Sequence, residues 1–333
     1  MALRVLKPGL LSTVQDLGRS GYQKFGVISS GAMDPFALRV SNILIGNDEY
    51  EAALELTIVG PVLYFESDML ISICGGDLSA SIDGEPVPMW RAVFVRKGST
   101  LTFGAPRQGC RAYLAVAGGF DIPLEMGSRS TYLRAAIGGW KGRALQAGDR
   151  IGIRPMSAVA NKILQKISGM DDGNAFCAAT HFVARDLLPS YAQHPIIRVI
   201  RGREFEQFEE AGKEVFFQAG FTLLPQSDRM GYRLKGPLLQ LAEPLEMISE
   251  AVIFGTVQVP PDGNPIVLMA DRQTTGGYPK IAQVISVDLP ILGQVNLGAT
   301  IRFSEVTLEE AQELYLIREM EIDMLKQGIR VYV

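Results

Sequence analysis

Histidine is almost missing from this chain: His181 and His194 are the two among 333 residues. An imidazole-based triad, or a zinc site built from histidines, has little material to work with. Cysteine is scarce too. Cys74, Cys110 and Cys177 are odd in number and far apart, with no Cys-x-x-Cys pair, so neither a disulfide framework nor a metal site is expected. A reduced, cytoplasmic protein is the expectation. No apolar run approaches the roughly 20 residues of a membrane helix, and the opening Met1-Ala-Leu-Arg-Val-Leu-Lys-Pro8 has no signal-peptide core. Positive charge is not in excess: 32 Lys and Arg face 36 Asp and Glu, a formal charge of −4. Broad nucleic-acid binding wants the opposite balance. The phosphate-cradling Gly-x-x-x-x-Gly-Lys-[Ser/Thr] loop is absent as well.

What is present is a soluble-globular composition, 47% hydrophobic and 20% charged, at a length that suits about two domains. From Glu51 to Ile153 short apolar runs recur at 62–66, 70–74, 78–82, 92–96, 99–104 and 111–117, separated by Gly, Pro and Asp-Gly signals. That spacing predicts a mainly β fold, a sandwich or barrel, with Asp83-Gly84 as a hairpin turn. Helices are few. Asp34 followed by Pro35 reads as a cap and first helical position, and Phe36, Val40, Ile43 and Leu44 share one face. Thr307-Leu-Glu-Glu310 is a capping box opening a helix to about Gln327, after which Ile329–Val333 reads as a closing strand. Residues 156–190 have the least periodicity and are the expected linker between a domain at 1–155 and another at 191–333.

One stretch concentrates functional groups. The apolar run 266–270 leads into Asp271, Arg272, Gln273, Thr274, Thr275, Tyr278 and Lys280, with Gly276-Gly277 and Pro279 blocking a helix. A strand delivering polar groups to a glycine-containing loop is how a rigid scaffold holds reactive side chains at its rim; a plain surface turn is the other reading. A second cluster, 118–143, mixes six glycines with Arg129, Arg134, Lys141 and Arg143. Exposed backbone N–H groups beside cations would suit a carboxylate or phosphate, and a solvated basic loop is the alternative.

The two halves echo each other. Gln15-Asp-Leu-Gly-Arg-Ser-Gly-Tyr22 parallels Gln226-Ser-Asp-Arg-Met-Gly-Tyr232, Gly60-Pro61 parallels Gly236-Pro237, Asp83-Gly84 parallels Asp262-Gly263, and Gly98-Ser-Thr100 parallels Gly298-Ala-Thr300. Four echoes in one order predict two related β domains from an internal duplication. The last two landmarks stand 15 positions apart in the first half (83 to 98) and 36 in the second (262 to 298). The excess predicts a functional insertion at about 270–297.

Six motifs carry a resemblance. They are Thr13-Val-Gln-Asp-Leu-Gly-Arg-Ser-Gly-Tyr22, Ser30-Gly-Ala-Met-Asp34, Ala115-Val-Ala-Gly-Gly119, Gly127-Ser-Arg-Ser-Thr131, Ser227-Asp-Arg-Met-Gly-Tyr-Arg-Leu234 and Ala270-Asp-Arg-Gln-Thr-Thr-Gly-Gly-Tyr-Pro-Lys-Ile281. Together they resemble the KipA-type family, the C-subunits of 5-oxoprolinase, over nearly all the chain except about 156–190. The same family is also called allophanate hydrolase subunit 2-like or biotin-dependent carboxyltransferase. The resemblance implies two cyclophilin-like β-barrel domains. It also implies work in a complex with a KipI-like B-subunit and a lactam-utilisation-like A-subunit, opening 5-oxoproline (pyroglutamate) to glutamate with ATP. A regulatory role against a KipI-like kinase inhibitor is one alternative. Carboxyl transfer to urea from biotin is another, and biotin would have to ride on a separate chain, since no Ala-Met-Lys-Met carrier motif occurs.

Opening a resonance-stabilised amide needs donors to its oxygen, a cation for the transferred group and an acid or base for its nitrogen. The 271–280 loop holds each type. Asp271 is expected to hold or deprotonate the amide N–H, Arg272 to pair with phosphoryl or carboxylate, and Gln273 and Tyr278 to orient substrate, with Thr274 and Lys280 assisting. Ser227 and Arg229, with Arg19, Met33 and Asp34, would line a cleft between the domains. Arg19 and Arg229 have a structural alternative, bracing their domains through Asp16 and Asp228.

Overall fold

A computed structural model describes residues 1–169 and 173–332 and divides the chain into two units. Unit 1 comprises Met1–Arg19, Asp34–Pro189 and Met320–Val333; unit 2 comprises Ser20–Met33 and Ser190–Glu319. A fourteen-residue piece of the first half, Ser20–Met33, therefore belongs to the second unit.

Unit 1 is built from twelve strands: β1 (Ala2–Lys7), β2 (Leu11–Gln15), β3 (Ala53–Thr57), β4 (Val62–Phe65), β5 (Met69–Asp77), β6 (Ser81–Ile82), β7 (Glu85–Pro86), β8 (Ala92–Val95), β9 (Thr100–Thr102), β10 (Gln108–Val116), β11 (Arg150–Gly152) and β12 (Phe176–Ala178). They form two six-stranded sheets, ordered β11-β1-β4-β9-β6-β7 and β12-β8-β5-β10-β3-β2. Alternation puts Leu3 and Val5, Leu54 and Leu56, Ile71 and Ile73, and Leu114 and Val116 in one core, as the two-residue period of a strand requires. On β5 the intervening Leu70, Ser72 and Cys74 are buried as well, and Ser72 Oγ donates to the Ser41 carbonyl of helix α1 (Pro35–Leu44). The helix begins as its sequence predicts: Asp34 accepts from the Ala37 N–H at 2.9 Å and Pro35 occupies the first turn.

Residues 156–190, expected as a linker, hold regular structure. Helix α2 (Ala158–Ser168) is capped by Ser157, and β12 pairs with β8 at the edge of the second sheet. Their packing belongs to unit 1.

Unit 2 holds helix α3 (Glu210–Gln218) and a closed seven-stranded barrel, in the order β13 (Ile196–Arg201), β20 (Lys280–Val284), β17 (Thr256–Gln258), β18 (Ile266–Leu268), β15 (Gly231–Lys235), β14 (Gly220–Leu223) and β21 (Thr300–Glu305). Closure removes sheet edges. Phe221, Leu234, Val257, Val267, Val284, Ile301 and Phe303 point into its core. Two short strands, β16 (Glu250–Ala251) and β19 (Thr275–Gly276), make a separate ribbon. Residues 270–297, expected as an insertion, thus include β20, a stave of the barrel; the loop 271–279 with β19, and helix α4 (Leu289–Gly293), leave it.

The Gly98 and Gly298 echo has a local cause. Gly298 N–H donates to Leu223 O at 2.9 Å while Leu223 N–H donates to Ala299 O at 2.8 Å. Gly98 and Ser99 make the same closure on Phe65, and Gly148 and Asp149 make it on Val5. All three glycines have positive φ, 93°, 90° and 81° for Gly98, Gly148 and Gly298. Gly236-Pro237 differs from Gly60-Pro61: Gly60 leads into β4, whereas Leu238–Leu241 makes one isolated bridge, Leu241 to Phe208.

The last helix, α5 (Leu308–Tyr332), opens on the expected capping box, with Thr307 N–H on Glu310 Oε2 at 2.8 Å and Glu310 N–H on Thr307 Oγ1 at 3.1 Å. It then runs through Gly328 to Tyr332, so the strand expected at Ile329–Val333 is helix as far as it is described. Ile322 and Ile329, seven residues apart, are its buried positions, and that helical stripe overrides the β-branched tail. No helix among the described residues is long and apolar enough to cross a membrane.

Candidate functional site

The loop after β18 is anchored by its first residue. Asp271 is 5% exposed, and its carboxylate receives Arg229 through Nε to Oδ2 at 2.9 Å and Nη2 to Oδ1 at 3.0 Å. Ser30 Oγ donates to Oδ1 at 2.7 Å, and Arg229 Nη2 also reaches the Gly31 carbonyl. Ser30 has φ 56°, a left-handed conformation that costs a serine energy, and these bonds hold it there. The base expected at Asp271 is therefore a carboxylate with both oxygens engaged. Arg229 pairs with Asp271, 42 positions away in the sequence. Asp228 accepts from Met230 N–H at 2.8 Å and shapes the β14–β15 turn, where Ser227 Oγ takes the Arg233 N–H at 3.0 Å.

Arg272 is the contrast. It is half-buried and reaches two backbone carbonyls, Val252 O at 3.4 Å from Nε and Met269 O at 3.5 Å from Nη1. Both contacts are at the outer limit of a hydrogen bond. Burial pushes its guanidinium below the usual arginine range, and the neighbouring Asp271 opposes that shift. A desolvated cation with poor acceptors, on a rim loop, is a ready partner for an anion. Lys280 is not: its ammonium lies 3.1 Å from Glu250 Oε2 and 3.5 Å from Glu204 Oε2. Gln273 is exposed and Tyr278 is 41% exposed; Thr274 lends its carbonyl to the Val252 N–H at 3.2 Å.

The signature glycines are not there for backbone freedom. Neither Gly276 nor Gly277 has positive φ. Space is the reason at Gly276. A Cβ on it would stand 3.0 Å from Gln258 Oε1, 3.2 Å from Val252 Cγ1 and 3.6 Å from Gln273 Nε2. Gln258 was missed in the sequence. It is 4% exposed, and among the described residues no donor reaches its Oε1. It lies on β17 with Thr256, both opposite the core-facing Val257. Thr256 is satisfied, donating to Gln283 Oε1 at 2.8 Å.

The first-half candidates have other roles. Met33 is fully buried in the barrel core. Asp34 caps α1, and its N–H donates to Tyr113 Oη at 2.8 Å, whose hydroxyl donates to Glu55. Arg19, 1% exposed, donates through Nη2 to the Ser130 carbonyl. In the glycine-rich 118–143 segment Ser128 Oγ, Ser130 Oγ and Arg129 N–H donate to the carboxylate of Asp16, which also accepts from Gly18 N–H. Arg129 bonds the Ile122 carbonyl and faces Glu51 at 3.4 Å, and Arg143 grips Asp149 with two bonds of 2.7 Å. Lys141 is exposed with its ammonium 5.3 Å from the Trp140 ring, and Arg134 is exposed on a short 3-10 turn. The four cations expected to share one anion are thus divided among separate roles. His181 packs at a tilt against Tyr332, with ring centroids 3.9 Å apart, and His194 contacts the Thr300 backbone; neither sits in the 271–280 loop. No cluster of three metal-binding side chains occurs among the described residues.

Comparison with known proteins agrees with this fold. The model for the carboxyltransferase domain, subdomain A and B, matches residues 25–305. The chain is 42% identical to the 5-oxoprolinase C-subunit of Haemophilus influenzae, over 95% of both chains, and 38% identical to that of Escherichia coli, over 93% of both. Among solved structures, the urea carboxylase of Kluyveromyces lactis superposes with a TM-score of 0.87 at 30% identity, covering 98% of this chain and 29% of the enzyme. The chain belongs to the carboxyltransferase domain family, subdomains A and B, and within it to the 5-oxoprolinase C-subunits.

Proposed function

We propose that the protein is the C-subunit of a cytoplasmic, ATP-dependent 5-oxoprolinase and acts with a KipI-like B-subunit and a lactam-utilisation-like A-subunit. The observation that carries this reading is the 42% identity over 95% of both chains to a protein of that name. The chemistry asked of the complex is to open a five-membered amide. Phosphoryl transfer from ATP to the lactam oxygen makes the ring carbon electrophilic. Water then adds to that carbon, the C–N bond opens as the nitrogen takes a proton, and the acyl phosphate left behind is hydrolysed by a second water to glutamate and phosphate. ATP is assigned to the complex.

Within this chain Arg272 is the residue best suited to the substrate's carboxylate or the transferred phosphoryl group, because it is desolvated and poorly supplied with acceptors. Gln273 and Tyr278 stand on the same loop to orient the ring. Asp271 and Arg229 act as positioning residues. The test is glutamate formation from 5-oxoproline and ATP by the reconstituted complex, with this protein and without it. Turnover that does not depend on the protein would overturn the reading. Carboxyl transfer is supported by one observation, the close superposition on urea carboxylase; transfer from a separate biotinyl carrier to urea would show it.

A further inference from the structure

We infer that Glu250 is a positioning residue: it ties the short strand β16 to the barrel, and β16 in turn sets the course of the loop that carries Arg272 and Gln273. This rests on the reading of Arg272 given above and goes further by naming the residue that governs its placement.

Residues 249–252 lie along 272–277 as a splint. Glu250 pairs with Gly276 and Ala251 with Thr275. The Val252 N–H donates to Thr274 O at 3.2 Å, and the Val252 carbonyl meets Arg272 Nε at 3.4 Å. Both glycines of the loop make room for the splint. A Cβ would stand 3.2 Å from Val252 Cγ1 at Gly276 and 3.2 Å from Ser249 Oγ at Gly277. The splint is not a stave of the barrel, since β16 and β19 form a two-stranded sheet of their own. So short a ladder is marginal by itself, and residues 242–249 before it belong to no helix or strand.

The tie to the barrel is ionic. Glu250 accepts from Lys280 Nζ at 3.1 Å through Oε2 and from Arg203 Nη1 at 2.8 Å through Oε1. Lys280 opens β20, and Arg203 lies two residues past the end of β13, the strand paired with β20. Between them Glu204, 8% exposed, takes the Lys280 backbone N–H at 3.0 Å and fixes that end of the barrel. The bond from Lys280 also holds the Glu250 carboxyl below the usual carboxylate range, so it is ionised at neutral pH. The charge of Lys280 is thus used to hold the splint, and through it the backbone on which Arg272 stands.

The experiment is steady-state kinetics of the reconstituted complex, with a thermal melt of each variant. Glu250→Gln keeps the length and removes the charge. It should raise KM for 5-oxoproline by roughly 3- to 30-fold and change kcat less. The melting temperature should stay near wild type, because half-exposed ion pairs contribute little to stability. Glu250→Asp, which restores the charge one methylene short, should recover part of the KM. Because Glu250 acts through the loop, adding Glu250→Gln to Arg272→Gln should raise KM little beyond Arg272→Gln alone. If the two changes instead multiply, Glu250 acts independently of Arg272 and the inference is overturned. It is overturned as well if KM is unchanged in Glu250→Gln while Arg272→Gln raises it. A lower melting temperature and kcat at unchanged KM would leave Glu250 a structural tie only, which also overturns it. An Arg272→Gln complex with the KM of wild type would overturn the reading of Arg272 itself, an outcome separate from the others.

Discussion

Arg229 and Asp271 face one another through two hydrogen bonds, 2.9 and 3.0 Å, with both side chains 7% exposed. The pair joins the β14–β15 turn, the end of β18 and the Ser30-Gly31 segment. Removing one partner from a buried pair leaves the other charge uncompensated, at a cost of about 3–5 kcal/mol. Asp271→Ala is therefore expected to lower the melting temperature clearly, in calorimetry of the isolated protein. The double change Arg229→Met with Asp271→Leu should recover much of the loss, because no buried charge remains. An Asp271→Ala protein of wild-type stability whose complex no longer turns over substrate would instead put the carboxylate in the chemistry.

Arg272 is expected to behave in the opposite way. Its partners are long contacts to carbonyl oxygens, so Arg272→Gln should change stability little. Losing a charge-assisted bond to an anionic substrate should raise KM for 5-oxoproline by roughly 10- to 100-fold. Arg272→Lys should rescue only part, since a point charge lacks the planar fork. Steady-state kinetics of the complex, paired with a melt of each variant, separates the two residues.

The parts of the fold legible in the sequence are those fixed by short-range chemistry. Asp34-Pro35 starts a helix, Asp83-Gly84 turns a hairpin with φ of 50° and 92°, and Thr307 with Glu310 closes a capping box. Each needs only neighbours within a few positions. The mates of Arg229 and Asp16 were not legible. Asp271 lies 42 positions from Arg229, and barrel register brings it to the guanidinium. The 128–131 segment likewise finds Asp16 from more than a hundred positions away. Gln258 reads as a polar residue on the outer side of a strand, and only the tertiary cover at Gly276 and Val252 makes it a buried acceptor. The tail misled for a local reason: Gly328 suggested a stop, yet it meets nothing within 4 Å and the helix passes through it.

Gly138 is expected to be irreplaceable. Its φ is 66°, and a Cβ would come within 2.2 Å of the Ser130 carbonyl oxygen and 2.6 Å of Arg19 Nη2. Both atoms belong to the same buried bond, so neither can yield alone. Gly138→Ala should cost more than the roughly 1–3 kcal/mol of a strained backbone, because the Arg19 bond must break as well. Gly127, with φ 76° and open space around its Cβ position, is the control: Gly127→Ala should cost only the conformational penalty. Urea unfolding of the two variants side by side checks the difference.

Acid stability should depend on Asp149. The two bonds from Arg143, together with Gln146 N–H at 2.7 Å, hold its carboxyl down from the usual 3.8 to about 2. The unfolded chain binds the proton first as pH falls, so between those values it carries more protons than the folded chain, and stability rises with pH. The contribution is complete above about pH 4 and is lost as pH drops through about 2. Arg143→Gln should raise the Asp149 pKa toward its unfolded value and flatten the slope of stability against pH in that window, while the slope at neutral pH stays as in wild type. Urea midpoints measured from about pH 2 to 7 read this directly. A slope in the acid window that is the same with and without Arg143 would show that other carboxylates set the acid limit.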